Sequence, residues 1–355
     1  MTKYYTRACN FYYGINAKQL IKKKIALPLC GNQNIAFDKV EVITRKKHKV
    51  LSKIINIKNI HTLNTTCKKK VKLDLKKIVS RRKNFLKNVN FLEPSTMGIL
   101  NLTPDSFSDG GKFNNLKKAK NQIYKMMKAG ANIIDIGGES TRPGSKTIPA
   151  NIEWKRIENI IKVFKKKYKK TSLSVDTRKS EVMIKAIKYR ADLINDVSGF
   201  NYDNKSLLKL KKYNIAKVLH HMQGTPNTMQ KNPKYKNVLL DIYDFFEKDI
   251  KKIDNKKIII DPGIGFGKNL KHNLTLISKI SLFHSLGYPI LIGISRKRFI
   301  SQISGDNDSK ERIGGTVAAI LFLLSQGVQV FRVHDVNEVK QAILVFRKIL
   351  SNFNN

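Results

Sequence analysis

Acidic residues are scarce in this 355-residue chain. There are 26 Asp+Glu against 69 Lys+Arg, a formal net charge of +43, and no acid precedes Asp38. Cysteine is scarcer still: Cys9, Cys30 and Cys67 are the only three. An odd number at wide, irregular spacing is neither a disulfide framework nor a zinc ligand set, and it points to a reducing compartment. No apolar run approaches the ~18 residues that a membrane span needs, which excludes an integral membrane protein. HExxH, CxxC and the GxSxG nucleophile elbow are absent too, so zinc-protease and serine-hydrolase chemistry have no foothold. What is present is a hydrophobic fraction of 41%. That is enough for a sizeable core in one large domain with an appendage.

The charge is uneven. Residues 1–90 hold 23 basic and 3 acidic residues, a net of +20, whereas the other 265 hold 46 and 23. Such a balance permits contact with nucleic acid and attracts anionic substrates. Lysine is nonetheless abundant everywhere, as in Lys165-Lys166-Lys167. A dedicated nucleic-acid surface should be clustered and interleaved with aromatics. Compositional drift is the better reading, and neither nucleic acid nor membrane is expected as a partner. The acid-free start resembles a transit peptide only weakly, because it has a single Arg, no Ser, and the pairs Tyr4-Tyr5 and Tyr12-Tyr13. A cytoplasmic location is expected. Up to Asn90 the short apolar stretches Val40–Ile43 and Val50–Ile57 are broken by basic runs, and they predict a small basic α/β extension of unknown role.

From Ser95 onward short apolar runs alternate with amphipathic stretches. Strands are predicted at Thr96–Asn101, Asn132–Ile136, Ser172–Val175, Leu193–Asp196, Ala216–His220, Ile258–Asp261, Ile290–Ile294 and Val330–Val333. The helices between and after them are predicted at Leu116–Ala129, Asn151–Tyr168, Ser180–Tyr189, Ser206–Tyr213, Val238–Ile253, Leu274–Leu286, Glu311–Gln326 and Val336–Leu350. Eight strand-then-helix units over about 260 residues match a closed (β/α)8 TIM barrel, expected to occupy residues 91–355. Nearly all-apolar strands suit a parallel sheet buried on both faces. An open doubly wound sheet is disfavoured, since no GxGxxG follows the first strand.

Function in such a barrel gathers at the C-terminal strand ends, and every strand here ends in unusual polar residues. They are Asn101; Asp135 with Glu139-Ser140-Thr141-Arg142; Asp176-Thr177-Arg178; Asn195-Asp196; His220-His221-Met222; Asp261; Ser295-Arg296-Lys297; and Arg332-Val333-His334-Asp335. Asp176, Asn195 and Asp261 are acceptors suited to a flat, donor-rich heterocycle. Arg142, Lys297, Arg332 and His334 supply the opposite sign, suited to phosphate oxygens. The two sets together imply a substrate with a donor-rich ring at one end and an anion at the other. The competing reading is internal ion pairing, for example of Asp176 with Arg178 or of Asp335 with Arg332. His220 and His221 are adjacent on a strand, so they point to opposite faces and cannot chelate one ion together. A lone Asn101 oxygen could help to hold Mg²⁺ whose other ligands are waters and substrate phosphate.

At these residues the sequence resembles the dihydropteroate synthase family. The matching stretches are MGILNLTPDSFSDGG (97–111), IIDIGGESTRPG (133–144), SVDTRKSEV (174–182), INDVSG (194–199), HMQGTP (221–226), IIDPGIGFGKN (259–269), GISRK (293–297) and RVHDV (332–336). The resemblance implies a transferase of folate biosynthesis that joins 6-hydroxymethyl-7,8-dihydropterin diphosphate to 4-aminobenzoate and releases pyrophosphate. It implies Mg²⁺ on Asn101, and the pterin on Asp176, Asn195, Asp261 and Lys297. Diphosphate contacts would come from Asn101, Arg142, Arg332 and His334. Thr141 and Arg142 would ride on a mobile second loop, and Met222 and Arg296 would line the pocket. Phe107 and Pro143 would flank the 4-aminobenzoate, with Ser295 nearby. The catalytic set so implied is Asn101, Arg142, Lys297, Arg332 and His334, in a homodimer.

Two features depart from the pattern. Arg178 stands where many relatives carry a short residue, with a changed loop contact as the expected consequence. Residues 1–90 lie outside the barrel pattern and are too short for a fused pyrophosphokinase domain. A methyltetrahydrofolate:corrinoid methyltransferase would use the pterin-reading acceptors but has no need of the diphosphate set. A barrel that has lost catalysis and binds nucleic acid through its basic front is contradicted by the intact first two loops.

Overall fold

The computed structural model of the chain describes residues 2–47, 49–103, 112–142, 144–306 and 308–352, with only the backbone of 112–115. The first eighty residues form strands β1 (Thr2–Tyr13), β2 (Leu27–Leu29), β3 (Asn32–Lys46) and β4 (Lys49–Asn56). With them come helices α1 (Gly14–Lys22) and α2 (Thr65–Val79). The long β3 is antiparallel to β1, from Thr2↔Lys46 to Tyr13↔Ile35, and carries β2 and β4 along its other edge. Asn64 caps α2, its Oδ1 accepting from the Cys67 amide at 2.9 Å. Helix α2 joins the sheet in an apolar cluster that includes Ala8, Phe37, Val40, Val71 and Ile78.

Tyr5 and Ile43 of the same sheet belong instead to the core of the barrel. Tyr5 meets Tyr243 edge-on, ring centroids 5.2 Å apart. Around this contact Lys3 pairs with Asp244 and Glu247, each at 2.6 Å, and Arg45 with Asp241 at 2.6 Å. Glu41 bridges Arg7 and Lys279. Further along, Arg82 donates to the His284 carbonyl at 2.9 Å, and buried Cys30 lies 3.3 Å from His284 Nδ1.

The barrel follows. Its strands are β5 (Ser95–Asn101), β6 (Ile133–Gly137), β7 (Ser172–Asp176), β8 (Leu193–Asp196), β9 (Ala216–His220), β10 (Ile258–Asp261), β11 (Leu291–Gly293) and β12 (Val330–Val333). The helices around them are α3 (Lys112–Lys128), α4 (Ala150–Lys167), α5 (Ser180–Lys188), α6 (Ser206–Leu210), α7 (Val238–Asp249), α8 (Leu270–Ser278), α9 (Arg298–Ser304), α10 (Ile313–Ser325) and α11 (Val336–Ser351). All pairings between these strands are parallel, and an Ile260↔Ile290 bridge closes β10 onto β11. The fold is a (β/α)8 barrel.

The stretch expected as one helix, Leu274–Leu286, is two elements. Helix α8 starts earlier, at a capping box made by Asn269 and His272, and stops at Ser278. A 3₁₀ helix, Ile280–Leu286, follows, and it carries much of the extension's docking surface: Ser281 Oγ donates to the Ala8 carbonyl at 2.9 Å.

One apolar cluster sets the orientation of seven of the eight strands, all but β7. Leu86, Val89 and Phe91, just ahead of the barrel, pack with Met97, Ile133, Leu193, Ala216, Val218, Ile259, Leu291 and Val330 at or near the strand starts. This is the barrel floor. Strand side chains alternate faces with period two, so residues two or four beyond a floor residue also point inward, toward the mouth. Asn101, Asp135, Asn195, His220, Asp261, Ser295, Arg332 and His334 all satisfy that count.

Candidate active site

Across the mouth, register places Asn101 beside Gly137, Gly137 beside Asp176 and Asp176 beside Asn195. One layer deeper, buried Asp135 receives Asn195 Nδ2 at 3.0 Å and Arg332 Nε at 2.6 Å on the same oxygen, Oδ2. The Arg332 guanidinium also reaches Asp176 Oδ2 at 2.7 Å. The acceptor set and the cationic set therefore meet at one Arg rather than facing each other across open space. Asp135 Oδ1 is buried with no hydrogen-bond partner among the described residues. Sequence reasoning noted Asp135 on its strand but gave it no role; the inward count from Ile133 is the signal that places it.

The ion pairs anticipated as the competing reading take other partners. Asp176 pairs with Arg332, not Arg178, and Asp335 pairs with Arg296 through both Nε and Nη2. Arg296, expected to line the pocket, thus has its guanidinium committed to the start of α11. Arg178 and Lys179 both hold Glu139, at 2.8 and 2.7 Å, and Lys179 also holds Glu153 at 2.7 Å. This buried network fixes the root of the segment that leads to Thr141 and Arg142, while Arg142 itself is exposed. Arg178 does more than alter a loop contact. Asp196 is structural as well: its carboxylate accepts from the Ser198 amide and hydroxyl and from the Phe200 amide.

On the opposite side of the mouth, β10 ends at Asp261. Its Oδ1 accepts from the Gly263 amide at 2.8 Å. Gly263 has φ +70°, and a Cβ there would lie 2.0 Å from the His221 carbonyl oxygen, so only glycine makes this turn. Lys297 Nζ sits 3.9 Å from the centre of the Phe266 ring, a cation–π contact. Ser295 Oγ lies 3.1 Å from His334 Nδ1. Met222 and Thr141 are half-buried. Phe107 and Pro143 lie outside the described residues.

The electrostatics follow from burial of unlike charges in one cavity. Burial raises Asp261 to about 6, held back by the Gly263 amide and Lys297. Burial, with Asp135 nearby, raises Asp176 against the pull of Arg332. Burial and the Arg332 charge lower Lys297 to about 8. His334, expected among the cations, is pushed down to about 3 by burial and by Arg332 and Arg296. It is a neutral imidazole at physiological pH, and this corrects the charge assigned to it from sequence. For a divalent ion the mouth offers the Asn101 side-chain oxygen, and the described residues hold no group of three His, Cys, Asp or Glu able to cage a metal. One neutral oxygen fits only an ion that keeps waters and substrate oxygens as its other ligands, as Mg²⁺ does.

A family model described as pterin binding enzyme matches residues 97–334. Dihydropteroate synthase of Escherichia coli (strain K12) is 39% identical over 269 residues, covering 74% of this chain and 94% of the relative. The chain belongs to the dihydropteroate synthase family. Solved structures of the family agree. The Yersinia pestis dihydropteroate synthase, in complex with a sulfonamide drug, superposes with a TM-score of 0.69 at 38% identity, over 74% of this chain and 96% of that one. The Xanthomonas albilineans dihydropteroate synthase with 7,8-dihydropteroate gives 0.66 at 32%, over 74% and 95%. The family match begins two residues into β5, so the extension lies outside it.

Proposed function

We propose that the protein condenses 6-hydroxymethyl-7,8-dihydropterin diphosphate with 4-aminobenzoate to give 7,8-dihydropteroate and pyrophosphate, in folate biosynthesis. The observation that carries this reading is the mouth itself, where buried acceptors with unmet hydrogen-bonding capacity stand beside Lys297 and Arg332. Xanthomonas albilineans structures of the family hold 4-aminobenzoic acid or 7,8-dihydropteroate, both chemically matched to such a mouth.

Asp261, Asn195 and Asp176 accept from the amino and N–H edge of the pterin, and Lys297 donates to its acceptor atoms. Arg332 is oriented by Asp135 and Asp176, which leaves further guanidinium N–H groups for the diphosphate beside His334. As the bond between the methylene carbon and the bridging oxygen breaks, its electron pair leaves with pyrophosphate, and the fixed Arg332 guanidinium stabilises the growing charge. The arylamine nitrogen then attacks the methylene cation and loses a proton to solvent. Arg142, exposed on a segment with an anchored root, reaches the diphosphate by loop closure, which also excludes water. Asn101 would ligate Mg²⁺, which supplies Lewis-acid neutralisation of the phosphate oxygens.

We further infer a cytoplasmic homodimer. Among the described residues no helix is long and apolar enough to cross a membrane. The exposed apolar residues Phe322 on α10 and Leu344, Val345 and Ile349 on α11 suit a subunit contact. The extension serves as a brace on α7 and the 3₁₀ helix after α8. The test is pyrophosphate release from the dihydropterin diphosphate, with release expected only when 4-aminobenzoate and Mg²⁺ are both supplied. Folded protein that binds pterin yet releases nothing would overturn the assignment.

A further inference from the structure

We propose that His220 is a specificity-determining contact of the substrate heterocycle, its Nε2 accepting a hydrogen bond from the exocyclic amino group beside Asp261. The inference rests on the pterin reading above and adds a residue to it. Three observations support it. First, His220 shares the inward count of the floor residues Ala216 and Val218 and lies in register with Asp261 on the neighbouring strand. Of the two adjacent histidines, it is the one that faces the mouth.

Second, the tautomer is fixed. Nδ1 lies 2.9 Å from the Val197 carbonyl oxygen, which can only accept, so Nδ1 carries the proton. Burial and the charges of Lys268 and Lys297 keep the ring neutral, so Nε2 presents a lone pair. Third, among the described residues no donor is bonded to that lone pair. Its neighbour is Asp261 Oδ2 at 3.9 Å, beyond hydrogen-bond reach and itself an acceptor. Two buried acceptors converge on one small volume, and their mutual repulsion is relieved by a ligand that brings N–H groups between them. The ring is held in place: it is 4% exposed and packs edge-on to Phe266 at 4.8 Å.

The test is calorimetric binding of 6-hydroxymethylpterin and of its 2-oxo counterpart, which lacks the amino donor, to the full chain and to His220→Met and His220→Gln. Wild type should prefer the amino compound. His220→Met should weaken that compound roughly 5- to 10-fold, as loss of one neutral hydrogen bond does, and should leave the 2-oxo compound within about twofold. His220→Gln, whose side-chain oxygen replaces Nε2, should restore most of the preference. Equal losses for both ligands would mean that His220 only packs, and would overturn the proposal. So would a His220 Nε2 resonance in ¹⁵N-histidine-labelled wild type that does not move when pterin binds, a readout that needs no variant. Wild type that binds neither compound would overturn the pterin reading itself, a result separable from the others because no variant enters it.

Discussion

The floor and the mouth of this barrel are made by the same strands, two to four residues apart, from opposite materials. The floor is closed by Leu86, Val89 and Phe91 against strand-start aliphatics. The mouth carries Asp135, Asp176, Asp261, Lys297 and Arg332 in a cavity that shifts their titration or binds them to one another. Burial stabilises the first and costs the second, so stability and function are separable along single strands.

The largest effects should separate the two ends. Arg332→Ala leaves Asp135 and Asp176 without their shared cation. It should lose about 3–5 kcal/mol in urea unfolding together with pyrophosphate binding. Phe91→Ala, at 2% exposure, should lose a similar ~3–5 kcal/mol, while pterin affinity of the folded fraction stays unchanged. Affinity that fell in parallel would deny the separation.

Asp261→Asn sharpens the contrast from the other side. The native carboxylate titrates near 6 instead of 3.8, so the folded state binds that proton more tightly. Its ionised form costs stability at neutral pH, and the cost disappears as pH falls below about 4. The amide should therefore raise the thermal midpoint at pH 7 while lowering pterin affinity at least tenfold. In wild type, affinity should fall below about pH 6 as Asp261 protonates and above about pH 8 as Lys297 loses its charge. Calorimetry across pH should show both limbs, with the acid limb shallower in Asp261→Asn, where Asp176 is the acceptor left to protonate. The smallest effect belongs to the extension: Lys3→Met, which breaks a half-exposed ion-pair cluster, should cost no more than about 1 kcal/mol.

The barrel was legible in the sequence because parallel strands covered on both faces are short apolar runs, and the observed strands lie within a residue or two of the expected positions. Polar residues at the ends of those runs marked the mouth, where Asp135, Asp176, Asn195 and Arg332 come together. Inward parity was not legible at His220-His221, because two polar neighbours carry no alternation; the floor cluster decides it. Nor was the internal pairing of Arg332 with Asp135 and Asp176, which depends on contacts 197 and 156 residues apart. The charge of His334 was misread because residue type does not reveal burial beside two guanidinium groups. In the extension, β1 and β3 are covered by α2 on one side and the barrel on the other, which hides the period-two signal.

That second cover bears on how the chain is made. Lys3 meets its partner Asp244 across 241 positions of sequence. At a synthesis rate of about 5–20 residues per second, the strand carrying Tyr5 waits roughly 10–50 s for α7 to emerge. For that interval the side of the sheet that carries Tyr5 and Ile43 lacks its barrel cover, and Lys3 and Arg45 lack the α7 carboxylates with which they pair.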